Sequence, residues 1–174
     1  GSYIIYELIE NNFTPRILVR KESHSKVIQP DKCEMINGDV EDEEALRETL
    51  SGCEAVIYLI ALIREFSAKN ITNERFQFRG SERVAKIAAE VGVKRYLLMS
   101  ALGANPNPSS SNYMNAKHLS EQCIKNTELN WTIIRPSSLF GDPRGEGRPE
   151  FCMMLDKLML NLLPFPSFLP FPAP

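Results

Sequence analysis

The stretch from Ser100 to Lys117 reads Ser-Ala-Leu-Gly-Ala-Asn-Pro-Asn-Pro-Ser-Ser-Ser-Asn-Tyr-Met-Asn-Ala-Lys and is the most informative part of the chain. It directly follows the apolar run Tyr96-Leu97-Leu98-Met99, a pattern that predicts a buried strand. The Ser100 hydroxyl should therefore lie at the carboxyl end of that strand. Open parallel sheets bind their ligands at this edge, so we expect a functional site there.

Tyr113 and Lys117 stand four residues apart at the start of a stretch with helical spacing, so their side chains share one helix face. A free phenol has a pKa of about 10, and a neighbouring ammonium group favours the phenolate and lowers that value. A tyrosine with a lowered pKa can exchange a proton with a hydroxyl or carbonyl group of a substrate. The ordinary alternative is a surface pair on an amphipathic helix, which has the same spacing.

A turn that follows the next predicted strand reads Arg135-Pro136-Ser137-Ser138-Leu139-Phe140-Gly141. Together with Ser100 and the Tyr-x-x-x-Lys spacing, this set resembles the short-chain dehydrogenase/reductase superfamily. The resemblance implies that Ser100, Tyr113 and Lys117 are catalytic, and that Tyr113 and Lys117 also contact the cofactor. It implies further that the turn lies beside the nicotinamide. The turn residues expected in that contact are Pro136, Ser137 and Ser138.

Two segments, 93–104 and 131–136, look like the atypical branch of this superfamily. That branch includes NmrA-like proteins and relatives of the nucleotide-binding accessory subunit of respiratory complex I. Members of the branch bind the nucleotide without known catalysis. The resemblance therefore keeps a non-catalytic role open beside the enzymatic one.

Apolar runs typical of buried parallel strands lie at 16–20, 35–40, 55–60, 96–99 and 131–134. Segments with helical spacing separate them, so we predict an α/β fold with a Rossmann-type, doubly wound parallel sheet in three αβα layers. We expect an NAD(P)-binding domain at residues 1–141. Residues 142–174 should begin a substrate-binding lobe or form a connection to one.

The first residues look like the end of a cofactor-binding loop. The superfamily opens with a strand and a G-x-x-G-x-x-G loop, and Gly1 stands where the last of these glycines would be. We therefore expect the central first strand to lie outside the chain, which leaves two strand edges unpaired inside the sheet. The alternative is that Gly1 and Ser2 are a cloning scar.

Four short segments are the expected contacts of a dinucleotide. Gly1 would present the amino end of the first helix to the pyrophosphate. Arg20 and Lys21 follow the family's second strand, where two cations favour NADP over NAD, although NAD and an ordinary basic turn stay open. The resemblance implies that Asp39 and Val40 contact the adenine, while Asp39 could equally cap the next helix. The residues expected to pack against the cofactor ribose are Ile60, Ala61 and Leu62.

The composition argues against several other classes of protein. The chain has 174 residues, 43% of them hydrophobic, which suffices for one globular domain with a core. A net charge of −2 provides no basic field for nucleic acid. Four widely spaced cysteines and two histidines indicate neither a zinc site nor a disulfide framework, so no metal is expected. Without a signal peptide or a membrane-length apolar run, we expect a soluble protein of the cytoplasm or an organelle matrix.

The last third of the chain ends in two contrasting segments. Residues 151–163 carry apolar side chains at helical spacing, whereas the proline-rich residues 164–174 can form neither a regular helix nor a central strand. We expect the proline-rich stretch to connect to a further lobe. The alternatives are a wall of the substrate pocket or a contact with a protein partner or a membrane surface.

These patterns predict an NADP-dependent oxidoreductase that acts on a small-molecule substrate. Tyr113 would be the general acid and base, Lys117 would lower its pKa, and Ser100 would orient the substrate oxygen while the cofactor carries the hydride. An epimerase or dehydratase of the nucleotide-sugar type, which uses the cofactor transiently, is a variant of this prediction. The alternative is a non-catalytic NADPH-binding accessory subunit or a redox-sensing regulator.

Overall fold

The computed structural model describes residues 1–62, 64–107 and 111–139 of the chain. The chain divides into two compact units after Ser137. Every helix and strand described below belongs to the first unit, Gly1–Ser137. The second unit, Ser138–Pro174, has only two described residues, so the predicted helix at 151–163 and the proline-rich stretch lie outside them. No helix within the described ranges is long and apolar enough to cross a membrane.

Strands and helices alternate along the first unit, as the apolar spacing predicts. A π-helix over Glu74–Arg79 directly precedes the third α-helix, and short 3-10 turns occupy Lys21–Lys26, Pro30–Lys32 and Ser67–Lys69. In chain order the main elements are α1 (Ser2–Glu10), β1 (Arg16–Val19), β2 (Glu34–Asn37), α2 (Glu43–Leu50), β3 (Ala55–Tyr58), α3 (Gly80–Glu90), β4 (Arg95–Met99), α4 (Asn112–Lys125) and β5 (Asn130–Ile134).

The strands are all parallel and form two sheets. β1 pairs with β2, with Arg16 opposite Glu34, while Arg95 of β4 lies between Ala55 of β3 and Asn130 of β5. Among the described residues, one edge of β1 and one edge of β3 have no strand partner. In the doubly wound order 3-2-1-4-5-6, the place between these edges belongs to the first strand. The orders β1–β2 and β3–β4–β5 agree with the predicted Rossmann-type parallel sheet.

Helices α2, α3 and α4 pack against one another in that order, α2 against β1 and β2 as well, and α4 against β5. Strand β4 shows the period of two that a sheet with one covered face requires. Its Tyr96 and Leu98 are buried in the core, whereas Arg95 is exposed. The helical residues of the same core cluster include Leu46, Leu50, Val84, Ile87, Ala88 and Ile124.

The sequence predicts one long helix from Glu74 to Val91, but its first part is a π-helix. Tyr58 from β3 donates a hydrogen bond from its hydroxyl to the carbonyl oxygen of Phe76, within this segment. A Cβ atom on Gly80 would lie 2.4 Å from the Tyr58 hydroxyl oxygen, so the glycine leaves room for the contact. A side chain that inserts into a helical hydrogen-bond ladder is a recognised cause of such an interruption.

Candidate functional site

The carboxyl ends of β4 and β5 hold two of the predicted site segments side by side. The backbone amide of Ser100 donates to the carbonyl oxygen of Ile134 at 2.8 Å, and the amide of Leu102 donates to the carbonyl oxygen of Pro136 at 2.9 Å. These bonds continue the contact between the two strands beyond the last residue of β4. Ser100 and the turn at 135–137 therefore lie at the edge where parallel sheets bind ligands.

Lys117 joins helix α4 to this edge. The residue is only 1% exposed, and its Nζ donates to the carbonyl oxygen of Met99 at 2.7 Å and to that of Ile60 at 3.3 Å. An ammonium group has three protons, so these bonds leave one proton for a further acceptor. Burial lowers the pKa of Lys117 to about 8.

Tyr113 is the second residue of α4, whose first turn is capped by the Ser111 hydroxyl oxygen, which accepts from the Met114 amide at 3.3 Å. The tyrosine is half-buried, and the Lys117 Nζ lies 5.7 Å from the centre of its ring, within cation–π range. Burial raises the pKa of Tyr113. This direction is opposite to the one predicted from the Lys117 spacing, and the effect of Lys117 on Tyr113 stays a prediction.

Ser100 is 2% exposed, and its hydroxyl is engaged by an acidic residue of α4. Its Oγ donates to the Glu121 Oε1 at 2.5 Å. Glu121 is fully buried, and its two carboxylate oxygens also accept from the guanidinium group of Arg135, with Nε at 2.7 Å from Oε1 and Nη2 close to Oε2. One carboxylate thus ties together α4, the end of β4 and the turn after β5.

The charge of Glu121 follows from these contacts. Burial opposes ionisation, but hydrogen bonds from Arg135 and Ser100 outweigh it and hold the pKa of Glu121 below its usual value. The Nζ of Lys125 lies 3.9 Å from the Oε2 atom and adds a weaker favourable interaction. The carboxylate is therefore ionised at neutral pH.

Sequence reasoning missed Glu121, although a signal was present. Glu121 follows Lys117 by four residues and Tyr113 by eight, so all three side chains share one stripe of α4. Glu65 was missed as well. Its carboxylate accepts from the Asn73 amide and from the Asn112 Nδ2, each at 2.7 Å, and this joins the segment after β3 to the first turn of α4.

Asp39 follows β2, and its Oδ1 accepts from the Glu41 amide at 3.3 Å. The alternative that Asp39 caps the next helix is wrong, because α2 begins at Glu43 and Asp42 is its cap. The Asp42 Oδ1 accepts from the amides of Glu44 and Ala45 at 3.1 and 3.0 Å. The neighbouring Val40 side chain is 3% exposed and belongs to the core.

The residues predicted to hold the outer part of a dinucleotide are on the surface. Arg20 directly follows β1 and is exposed, with its Nε 3.5 Å from the Glu22 Oε1. Lys21 is also exposed and begins the first 3-10 turn. Gly1 precedes α1, and its carbonyl oxygen accepts from the Ile5 amide at 3.0 Å.

The remaining predicted contacts follow β3 and β5. Ile60 packs against the core and gives its carbonyl oxygen to Lys117, while Ala61 is exposed and Leu62 half-buried. Ser137 and Ser138 are both exposed. In the described part of the chain, no group of three or more His, Cys, Asp and Glu side chains is placed to hold a metal ion.

The model of the NAD(P)H-binding family matches residues 1–151 of this chain. Over 141 residues the chain is 27% identical to the ceramide reductase of Caulobacter vibrioides, a match that covers 81% of this chain and 43% of that protein. Over 145 residues it is 28% identical to the mitochondrial NADH-ubiquinone oxidoreductase 40 kDa subunit of Neurospora crassa, covering 81% and 38%. The chain thus spans about two fifths of the length of these two relatives.

Among solved structures, the fold is similar to that of a short-chain dehydrogenase/reductase superfamily protein from Agrobacterium tumefaciens with bound NAD. The TM-score is 0.61 at 22% sequence identity, and the match covers 76% of this chain and 44% of that one. The predicted resemblance is thereby confirmed at the level of family and fold. The chain belongs to the NAD(P)H-binding family, with the Rossmann-like fold of the short-chain dehydrogenases/reductases.

Proposed function

We propose that the chain is the cofactor-binding part of an NADP(H)-dependent oxidoreductase, with residues 1–141 as its cofactor-binding domain. The position of Lys117 carries the proposal: a buried ammonium group stands at the carboxyl edge of the sheet, one helix turn from Tyr113, with a proton still available. Tyr113 exchanges a proton with the substrate oxygen. When bound, the cofactor supplies or accepts the hydride. The substrate is accordingly a small molecule with a carbonyl or hydroxyl group.

The donor set fits a dinucleotide at this edge. The available proton of Lys117 suits a ribose hydroxyl, and the Asp39 carboxylate can accept from an adenine amine. Arg20 is exposed, and its Nε lies 3.5 Å from the Oε1 of the exposed Glu22. It is therefore available to the extra phosphate of NADP, which supports NADP as the preferred cofactor.

Titration of the full-length protein with NADPH and NADH, followed by nicotinamide fluorescence, tests cofactor binding. We expect Arg20→Ala to weaken NADPH binding about tenfold, or about 1.4 kcal/mol, and to leave NADH binding unchanged. Lys86→Ala removes an exposed cation from α3 and is the matched control, which should change neither affinity. Equal losses for both cofactors would contradict the NADP preference. Binding of neither cofactor by the wild type would contradict the whole proposal.

The catalytic part is tested with a panel of carbonyl compounds and NADPH. Tyr113→Phe should lower kcat/KM by about 100- to 10,000-fold, because it removes the proton donor. The affinity for NADPH should stay within about threefold of the wild type. Unchanged turnover by this variant would show that Tyr113 is not the acid and base.

The similarity to the Neurospora 40 kDa subunit supports a second candidate, an NADPH-binding accessory subunit without turnover in an organelle matrix. Residues 164–174 would then contact a protein partner. NADPH binding without oxidation across the whole panel supports this candidate, whereas Tyr113-dependent turnover contradicts it.

A further inference from the structure

The proton between Ser100 and Glu121 can be assigned from the contacts of the carboxylate. Both oxygens of Glu121 accept hydrogen bonds from the guanidinium group of Arg135, which cannot lose its charge in a protein. A carboxylate held in this paired way is ionised and can only accept. In the 2.5 Å contact between the Ser100 Oγ and the Glu121 Oε1, the hydrogen therefore belongs to Ser100.

A serine hydroxyl has a single proton. Because that proton is directed at Glu121, Ser100 has only lone pairs left for any other group. Lys117 is similarly engaged, with two of its protons on the carbonyl oxygens of Met99 and Ile60. Within the described residues, no hydrogen bond engages the Tyr113 hydroxyl, which is only half-buried.

We propose that Glu121 is a positioning residue that accepts the hydrogen bond of the Ser100 hydroxyl and so makes Ser100 an acceptor toward the substrate, leaving Tyr113 to donate to the substrate oxygen. The inference rests on the proposed oxidoreductase function and refines it. Ser100 can orient a substrate hydroxyl by accepting from it, but it cannot polarise a carbonyl group. The role expected from the sequence is less specific, because there Ser100 orients the substrate oxygen and nothing states whether its hydroxyl donates or accepts the hydrogen bond.

Arg135 is the second member of this arrangement. Its guanidinium group comes from the turn after β5, and the same turn is bonded to the segment after β4 through the Pro136 carbonyl and the Leu102 amide. The guanidinium group keeps Glu121 ionised, and the ionised carboxylate directs Ser100.

The first experiment determines whether Ser100 or Glu121 carries the shared proton, and it needs no substrate. In the full-length protein labelled with ¹³C at glutamate carboxyl groups, NMR titration follows the ionisation of Glu121. Ser100→Ala should raise the apparent pKa of Glu121, because a donor to the ionised form is lost. Ser120→Ala is the matched control, since the buried Ser120 hydroxyl has its shorter contact, 2.8 Å, with the Ala116 carbonyl oxygen and lies 3.1 Å from that of Gln77. Identical Glu121 titrations in the two variants would overturn the proposal.

The second experiment measures carbonyl reduction by the same variants. Ser100→Ala should lower kcat/KM by less than about tenfold, whereas Tyr113→Phe lowers it by at least about 100-fold. Equal losses would show that Ser100 also donates, which overturns the inference while the oxidoreductase function stands. Failure of the wild type to bind NADPH or NADH would contradict the proposed oxidoreductase function and the role of Tyr113. The NMR titration would then still show whether Ser100 donates its proton to Glu121.

A double-mutant cycle separates positioning from stability. If Glu121 acts through Ser100, Glu121→Gln should lower kcat/KM in the wild type and have no further effect in the Ser100→Ala background. An equal loss in both backgrounds would indicate a purely structural role and contradict the proposal. Because Glu121→Gln leaves Arg135 unpaired, its folding is checked by circular dichroism. If the variant is unfolded, the Ser100→Ala titration alone decides.

Discussion

Lys117 and Glu121 lie one turn apart on the same face of α4, and they are 1% and 0% exposed. Burial disfavours the charged form of both. Glu121 faces the guanidinium group of Arg135, and its pKa falls below the usual value, so it stays charged. Lys117 donates to two backbone carbonyl oxygens and lies near the Tyr113 ring, and burial lowers its pKa to about 8, towards the neutral form. The partner rather than the depth of burial decides the charge, which makes Glu121 a fixed charge and Lys117 an adjustable one.

Glu121→Gln should have the largest effect, because it leaves the guanidinium group of Arg135 without its counter-charge. Removal of one member of a buried ion pair costs about 3–5 kcal/mol in the free energy of unfolding, and the half-exposed Arg135 places the loss near 3 kcal/mol. Chemical denaturation measures this loss. Glu82→Gln breaks a surface pair with Arg79 at 3.0 Å and is the control, with an expected loss of at most about 1 kcal/mol. Similar losses in the free energy of unfolding for both variants would contradict the view that Glu121 is a buried charge fixed by its partner.

The pH dependence of the free energy of unfolding tests whether Lys117 is the group with the adjustable charge. An unfolded lysine has a pKa of about 10.4, whereas the folded value is about 8, so the unfolded chain binds more protons between these values. The contribution of Lys117 to the free energy of unfolding should therefore rise by about 2 kcal/mol from pH 8 to pH 10 and stay constant below about pH 7. Denaturation at each pH should show this rise in the wild type but not in Lys117→Met. Parallel curves would assign the effect to another group.

Ser100→Ala should have the smallest effect on stability. It removes one hydrogen bond to Glu121, but the Arg135 guanidinium group still neutralises the carboxylate. We expect a loss of about 1 kcal/mol in the free energy of unfolding. The double variant Ser100→Ala with Glu121→Gln should lose less than the sum of the single losses, because the two groups share one contact. Strict additivity would mean that the two residues do not interact.

The fold and part of the site could be predicted because they depend on local spacing. Alternating apolar runs gave the parallel strands, and the four-residue spacing placed Tyr113 and Lys117 on one face of α4. The roles of individual side chains were harder. The role of Glu121 depends on its hydrogen bonds with Ser100 and Arg135, which come from two other parts of the fold. The residue pattern within α4 does not predict those two contacts.

Two errors have similar causes. The pKa of Tyr113 was predicted from its distance in sequence to an ammonium group, whereas burial of the side chain raises it. The π-helix at Glu74–Arg79 could not be predicted from its own residues, because the Tyr58 hydroxyl that accompanies it comes from β3.

The division of the strands into two sheets has a consequence for how the unit holds together. Among the described residues, no backbone hydrogen bond joins β1 to β3, so the connection between the sheets runs through the layer of α2, α3 and α4. Arg16 strengthens that connection on the β1 side, since its Nη1 donates to the Ser51 carbonyl oxygen at the end of α2 at 2.6 Å. Within the described residues, the packing of α2 on α3 therefore couples the β1–β2 pair to the other sheet, so side-chain substitutions between these two helices should loosen that coupling.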